Sequence, residues 1–117
     1  MSKIPERTMI RLVSDPPPIE QIVNRIVEYF RPHRIILFGS RARGDFHEDS
    51  DVDLLIEMDT DLRKPYREIE IDKLFPMRDW SLDVFVYTPS EIVERRENVG
   101  TLVHMAEKEG RVVYDGQ

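Results

Sequence analysis

The sequence predicts an α+β fold, a mixed sheet flanked by helices, because short apolar runs rich in β-branched residues alternate with segments of helical periodicity. Three runs have strand length: Ile35-Ile36-Leu37-Phe38, Val52-Asp53-Leu54-Leu55-Ile56 and Leu82-Asp83-Val84-Phe85-Val86-Tyr87. Between and around them, apolar residues return at the spacing of one helix face. With 117 residues there is material for one core, so a single domain over 1–117 is expected.

The elements follow in order. Residues 1–15 hold one short apolar alternation, Met9-Ile10-Arg11-Leu12-Val13, which reads as an added edge strand or an N-terminal arm. After Pro16-Pro17-Pro18, the positions Ile19, Ile22, Val23, Ile26, Val27 and Phe30 make an amphipathic helix that Pro32 ends. The strand Ile35–Phe38 stops at Gly39-Ser40, where a helix or tight turn should begin. A polar segment, Arg41 to Ser50, leads into the second strand. Residues 64–75 have helical spacing in Tyr66, Ile69, Lys73 and Leu74, with Pro65 near the start. Thr88-Pro89-Ser90-Glu91, after the third strand, is a capping box that opens a short helix. A last helix is expected over Val99–Glu109, ending at Gly110, with Val112-Val113-Tyr114 as a short strand beyond it. There is no internal repeat and no linker.

Composition narrows the function classes. Forty per cent apolar and 34% charged residues is a globular balance, and no apolar run approaches the roughly 20 residues that cross a bilayer. The first residues lack the apolar run of a secretory signal and there is no cysteine, so a cytoplasmic location is expected, with neither a disulfide framework nor a thiolate metal site. A net charge of −6 argues against direct nucleic-acid binding and for a small anion or a basic partner as ligand.

The stretch with chemistry in it runs from Gly39 to Asp53. Side chains two apart on a strand share a face, so Asp51 and Asp53 aim at one spot while Val52 and Leu54 point into the core. Two such carboxylates repel each other unless cations compensate, and hard divalent ions prefer carboxylate oxygens together with substrate phosphates. A half-exposed strand with a merely polar face would show the same Asp-x-Asp pattern; Gly39-Ser40 changes the weighting, because small residues after a strand let backbone N–H groups and a hydroxyl approach phosphate oxygens. Asp83 is the one ionisable residue in its apolar run. If its strand lies beside the one carrying Asp51 and Asp53, three carboxylates converge, enough for two metal ions about 3.5–4 Å apart.

The motif Gly39-Ser40, ten residues, Asp51-x-Asp53 resembles the signature of the DNA polymerase beta-type nucleotidyltransferase superfamily. The fuller pattern, Gly39-Ser40-Arg41-Ala42-Arg43-Gly44 and then Ser50-Asp51-Val52-Asp53-Leu54, is similar to its minimal members, the MNT-type antitoxins paired with HEPN-type toxins, and the likeness runs from the helix near residue 18 to Tyr114. The resemblance implies the polymerase beta-type fold, a triphosphate held at Gly39 and Ser40, metal at Asp51 and Asp53, and Asp83 as the third carboxylate, assisting the attacking hydroxyl. It also implies Mg²⁺, two ions, with Mn²⁺ as substitute, and ATP as substrate. The acceptor it implies is a tyrosine hydroxyl of a HEPN-type ribonuclease toxin, neutralised by adenylylation as in a type VII toxin–antitoxin pair.

Among the remaining residues, Arg41 is favoured as a donor to nucleotide phosphates, whereas Arg43 is expected to fix the loop by pairing with Asp45, Glu48 or Asp49. Ser50 is a cap for the turn before the metal-bearing strand or a nucleotide contact. His33, His47 and His104 have no ligand spacing and are expected on the surface or in loops, with Trp80 and Tyr87 as core or partner contacts. Two other functions stay open: an antitoxin that masks its partner stoichiometrically, and a small-molecule nucleotidyltransferase of the antibiotic-modifying kind. Self-association stays open as well.

Overall fold

Proline and helical periodicity set the first element. In the computed structural model, which describes residues 16–44 and 51–116, helix α1 spans Ile19–Phe30 and buries Ile22, Val23 and Ile26. It closes on Arg31 in the left-handed region (φ 49°), because the residue before Pro32 is barred from continuing the helix. The alternation at residues 9–13 lies outside the described residues.

Strand β1 (Arg34–Phe38) follows, then the four-residue helix α2 (Ser40–Arg43), strand β2 (Val52–Glu57), helix α3 (Tyr66–Asp72) and strand β3 (Leu82–Tyr87). Helices α4 (Pro89–Arg96) and α5 (Leu102–Glu109) precede strand β4 (Arg111–Asp115). The four strands form one mixed sheet in the order β3-β2-β1-β4, with β1 antiparallel to both β2 and β4, and β2 parallel to β3 through α3. This is the α+β arrangement expected, a mixed sheet flanked by helices.

Residue alternation divides the sheet into two faces. Ile35, Leu37, Val52, Leu54, Ile56, Leu82, Val84 and Val86 pack with Ile22, Val23 and Ile26 of α1 and Ile71 of α3. Ile36, Phe38 and Leu55 pack on the other face with Ile92 of α4 and Val103 and Ala106 of α5. Phe85 and Tyr87 also belong to that second face but are only partly buried, so it is less completely covered along the outer strand. No helix of the described residues is long and apolar enough to cross a membrane.

Two helices are shorter than their periodicity suggests. α3 ends at Asp72, and Leu74 and Phe75 continue in turns with N–H bonds to Ile71 and Asp72 carbonyls. α5 begins at Leu102 rather than Val99, because Gly100 sits at φ 101° and Thr101 caps the helix by accepting the His104 N–H at 3.1 Å.

The outer edge of β3 is closed by side chains. Glu68 Oε2 accepts the Val86 N–H at 2.8 Å, and the Arg67 guanidinium donates to the Val86 carbonyl at 3.3 Å. Arg67 also forks onto Glu91, whose carboxylate accepts the Thr88 N–H while Thr88 accepts the Glu91 N–H. The capping box is thus tied to α3 by an ion pair. Hydrogen bonding to Arg67, opposed by partial burial and reinforced by the Thr88 N–H, lowers the Glu91 carboxyl from the usual 4.5 to about 2.

A group with a depressed pKa stabilises the fold above its ordinary value and loses that contribution as pH falls toward the folded value. Glu91→Gln should therefore lower stability by about 1–3 kcal/mol at pH 7. Melting curves of variant and wild type should draw together as the pH falls from 4.5 to about 2. A difference that stays constant through that window would show the charge of Glu91 to be without effect.

Candidate active site

The parallel register of β2 and β3 sets Asp53 directly beside Asp83. Asp51 sits one residue ahead of β2, where the Val52 N–H donates to the Ser81 carbonyl at 2.9 Å and locks the entries of the two strands together. Each of Asp51, Asp53 and Asp83 offers a carboxylate oxygen within 4.8 Å of the others, with Asp53 half-buried and the other two exposed. The sequence expectation that Asp83 comes from a strand adjacent to β2 is met by this pairing.

Burial is the first cause that raises the Asp53 carboxyl, from the usual 3.8 to about 6; the negative charges of Asp83 and then Asp51 push it further, and Arg43 opposes them. Its surroundings explain the burial: Phe38 is its register partner on β1, and the Phe38 and Phe85 rings lie 5.8 Å apart as an apolar floor on that face. Asp83 is raised as well, by burial first and then by Asp51, with Arg78 opposing. Three hard oxygen donors this close together fit a divalent cation, which would offset the like charges that help hold Asp53 and Asp83 above the usual carboxylate range.

Gly39 adopts φ 78°, and a Cβ there would fall far inside contact distance of Asp53 Oδ2. The glycine at this turn therefore leaves room for the half-buried carboxylate. Ser40 opens α2, and Arg41 and Arg43 follow within it. Of the two arginines it is Arg43 whose charge acts on Asp53, so its place is at the cluster in addition to any loop role. Asp45, Glu48, Asp49 and Ser50 lie outside the described residues, as does His47.

His33 is on the surface, 2.8 Å from Asp59 Oδ2. His104 lies within α5 rather than in a loop, its Nδ1 2.9 Å from the Arg96 carbonyl oxygen. Sequence reasoning passed over Arg78, while Trp80 packs against the core, as expected. Both line a hollow of about 550 Å³ that also includes Asp51, Asp83 and Asp72. Their segment, between α3 and β3, has no periodicity, so the lone tryptophan beside a strand was the one available signal.

A family model described as "Nucleotidyltransferase domain" matches residues 19–113. Two proteins of Methanocaldococcus jannaschii, both named "putative protein adenylyltransferase", are similar in sequence. One is 49% identical over 45 residues, which is 37% of this chain and 45% of that protein. The other is 38% identical over 77 residues, 60% of this chain and 77% of that protein. The match thus spans less than half the length of the first relative and about three quarters of the second. The crystal structure of a "putative nucleotidyltransferase" from Sulfolobus solfataricus superposes with a TM-score of 0.58 at 20% identity, covering 83% of this chain and 77% of that one. At that identity the likeness carries the fold alone, which is the polymerase beta-type nucleotidyltransferase architecture expected.

Two outcomes follow from the geometry. A carboxyl raised in the folded state favours folding when protonated, so metal-free protein should lose stability as the pH rises from 3.8 to about 6. Asp53→Asn should flatten that slope and raise the melting temperature at pH 7 in EDTA by roughly a few degrees. An unchanged slope would mean that Asp53 is not under strain. Gly39→Ala should displace Asp53 and weaken Mn²⁺ binding, read by calorimetry, at least about tenfold. Unaltered affinity would show that the carboxylate is not held in place by this turn.

Proposed function

This chain belongs to the nucleotidyltransferase domain family, and from that membership we propose that it moves AMP from ATP onto a tyrosine hydroxyl of a partner protein. The proposed partner is a HEPN-type ribonuclease toxin and the proposed role that of its antitoxin. The convergence of Asp51, Asp53 and Asp83 is the observation on which the reading rests. The names of the two archaeal relatives, protein adenylyltransferases, favour a protein over a small molecule as acceptor.

In this reading Asp51, Asp53 and Asp83 hold Mg²⁺ or Mn²⁺, which when bound supplies the positive charge that offsets negative charge on the phosphates during transfer. The residues of the chain do the rest by placement. The turn at Gly39 and Ser40 receives the triphosphate, and its glycine keeps Asp53 in position. Arg43, whose charge reaches Asp53, contributes to the same anionic side of the site, with Arg41 next to it on α2. Ser50, the remaining proposed nucleotide contact, precedes Asp51 directly in sequence. The acceptor oxygen attacks the α-phosphorus and pyrophosphate leaves.

The decisive experiment incubates the protein with ATP labelled in the α-phosphate, Mg²⁺ and the product of the neighbouring gene, and follows partner mass. One or more AMP units should appear on a partner tyrosine. Asp53→Ala should reduce the rate by about a thousandfold or more without lowering the melting temperature, as expected for loss of a ligand on which phosphoryl transfer depends. A partner neutralised without any mass change would point instead to stoichiometric masking.

A further inference from the structure

The two strands that meet at the cluster carry the same alternation, in register. Asp51-Val52-Asp53-Leu54 runs beside Ser81-Leu82-Asp83-Val84, with Val52 opposite Leu82 and Asp53 opposite Asp83. Val52, Leu54, Leu82 and Val84 are buried in the core under α1 and α3. The alternate positions therefore share the other face, and one step before the paired residues Asp51 comes opposite Ser81. The Val52 N–H, donating to the Ser81 carbonyl at 2.9 Å, fixes that neighbour relation. The cluster thus has four corners, of which three are carboxylates and the fourth is a hydroxyl. Asp51, Ser81 and Asp83 are exposed and line the same hollow of about 550 Å³.

We propose that Ser81 is a positioning residue for the metal site: in the metal-bound protein its hydroxyl donates to one oxygen of Asp51 and turns the other oxygen toward the divalent cation. This rests on the metal-binding part of the proposed function. The chemistry of the corner favours a hydroxyl. An ionised carboxylate only accepts hydrogen bonds, and serine brings an O–H donor on a side chain short enough to stay beside its own strand. Neighbouring strands are about 4.8 Å apart, so two short side chains facing the same way meet within hydrogen-bond reach. A fourth carboxylate would add repulsion to the three already gathered, and an apolar side chain would offer Asp51 no donor.

Asp51 is the corner that gains most from such support. Asp53 and Asp83 lie within β2 and β3, and the Gly39 turn with the Phe38 and Phe85 rings confines Asp53 further. Asp51 precedes β2 and is exposed, and the bond that ties this end of the strand to β3 comes from the next residue. An exposed side chain loses rotamer freedom when it ligates a cation, and a neighbour that holds the productive rotamer lowers that cost. Hydrogen bonds from outside a ligand set orient metal-bound carboxylates in this way, and losing one costs about 10- to 100-fold in affinity. The Ser81 carbonyl pins the strands while its hydroxyl acts on Asp51, so substitution can separate the two tasks.

Mn²⁺ titration by calorimetry tests this without any acceptor. Ser81→Ala should weaken Mn²⁺ binding about tenfold or more, and Ser81→Thr, which keeps the hydroxyl, should stay within about threefold of wild type. Neither should change the melting temperature in EDTA, because the carbonyl that accepts the Val52 N–H remains. The rise in melting temperature on adding Mn²⁺ should shrink in Ser81→Ala alone. Unchanged affinity in Ser81→Ala would overturn the proposal, and so would equal weakening in both variants, which would mark Ser81 as a strand-entry residue only. Wild-type protein that binds no Mn²⁺ would overturn the metal reading together with this one. Wild-type protein that transfers nothing, yet binds Mn²⁺ with the expected order among the variants, would sink the transfer reading and support the role of Ser81.

Discussion

Everything at the candidate site depends on the parallel pairing of β2 with β3 in the register that sets Asp53 beside Asp83. That register brings like charges together and by itself is unfavourable. It is enforced from the opposite face of the same strands, where Val52, Leu54, Ile56, Leu82, Val84 and Val86 are buried. Because side chains alternate with a period of two, a slip of one residue would drive the acidic positions into the core under α1 and α3. The apolar pattern of the two strands therefore fixes the geometry of their polar face. Repulsion among the carboxylates is carried as a raised Asp53 instead of as a distorted sheet.

The neighbours of the cluster follow from where each strand ends. β1 runs antiparallel to β2, so it finishes next to the start of β2, and the residue that follows Phe38 meets Asp53. A side chain there would displace the Asp53 carboxylate. On the other flank β3 is an outer strand, and exposed strand edges invite pairing with foreign chains. Glu68 and Arg67 occupy the polar groups of Val86, and Arg67 in turn is fixed by Glu91 of the capping box. The edge is thus closed near the far end of β3 from Asp83, and the acidic end stays accessible.

Much of this was legible in the residues. The strand runs, the helix from Ile19, the capping box at Thr88 and the pairing of Asp51 with Asp53 all rest on local rules of period and cap chemistry, and the structure has each of them. Strand order was not legible. That Asp83 meets Asp53, and that β3 is parallel to β2 while β1 is antiparallel, depends on contacts between residues far apart in sequence. The start of α5 shows a local rule overridden: Val99 has helical spacing, but the positive φ of Gly100 and the hydroxyl of Thr101 place the boundary at Leu102. The nearness of Arg78 and Trp80 to the carboxylates was illegible for another reason. They lie in an aperiodic connection, where proximity to the carboxylates comes from the path of the chain and leaves no sequence pattern.

The uneven exposure of the three carboxylates bears on how such a site would work. Asp53 alone is half-buried, against the Phe38 and Phe85 floor, while Asp51 and Asp83 face water. Water screens the exposed pair, so electrostatic interactions at the cluster are weaker in the open protein than once a ligand covers it. The apolar floor is provided by Phe38 and Phe85, and among the described residues the second face of the sheet is least complete along β3, where Phe85 and Tyr87 remain partly exposed. A molecule bound over Asp51 and Asp83 would exclude water from the exposed carboxylates. Under the proposed reaction, acceptor binding and the strengthening of the site's electrostatics would then be one event, with a physical origin that lies outside the carboxylates themselves.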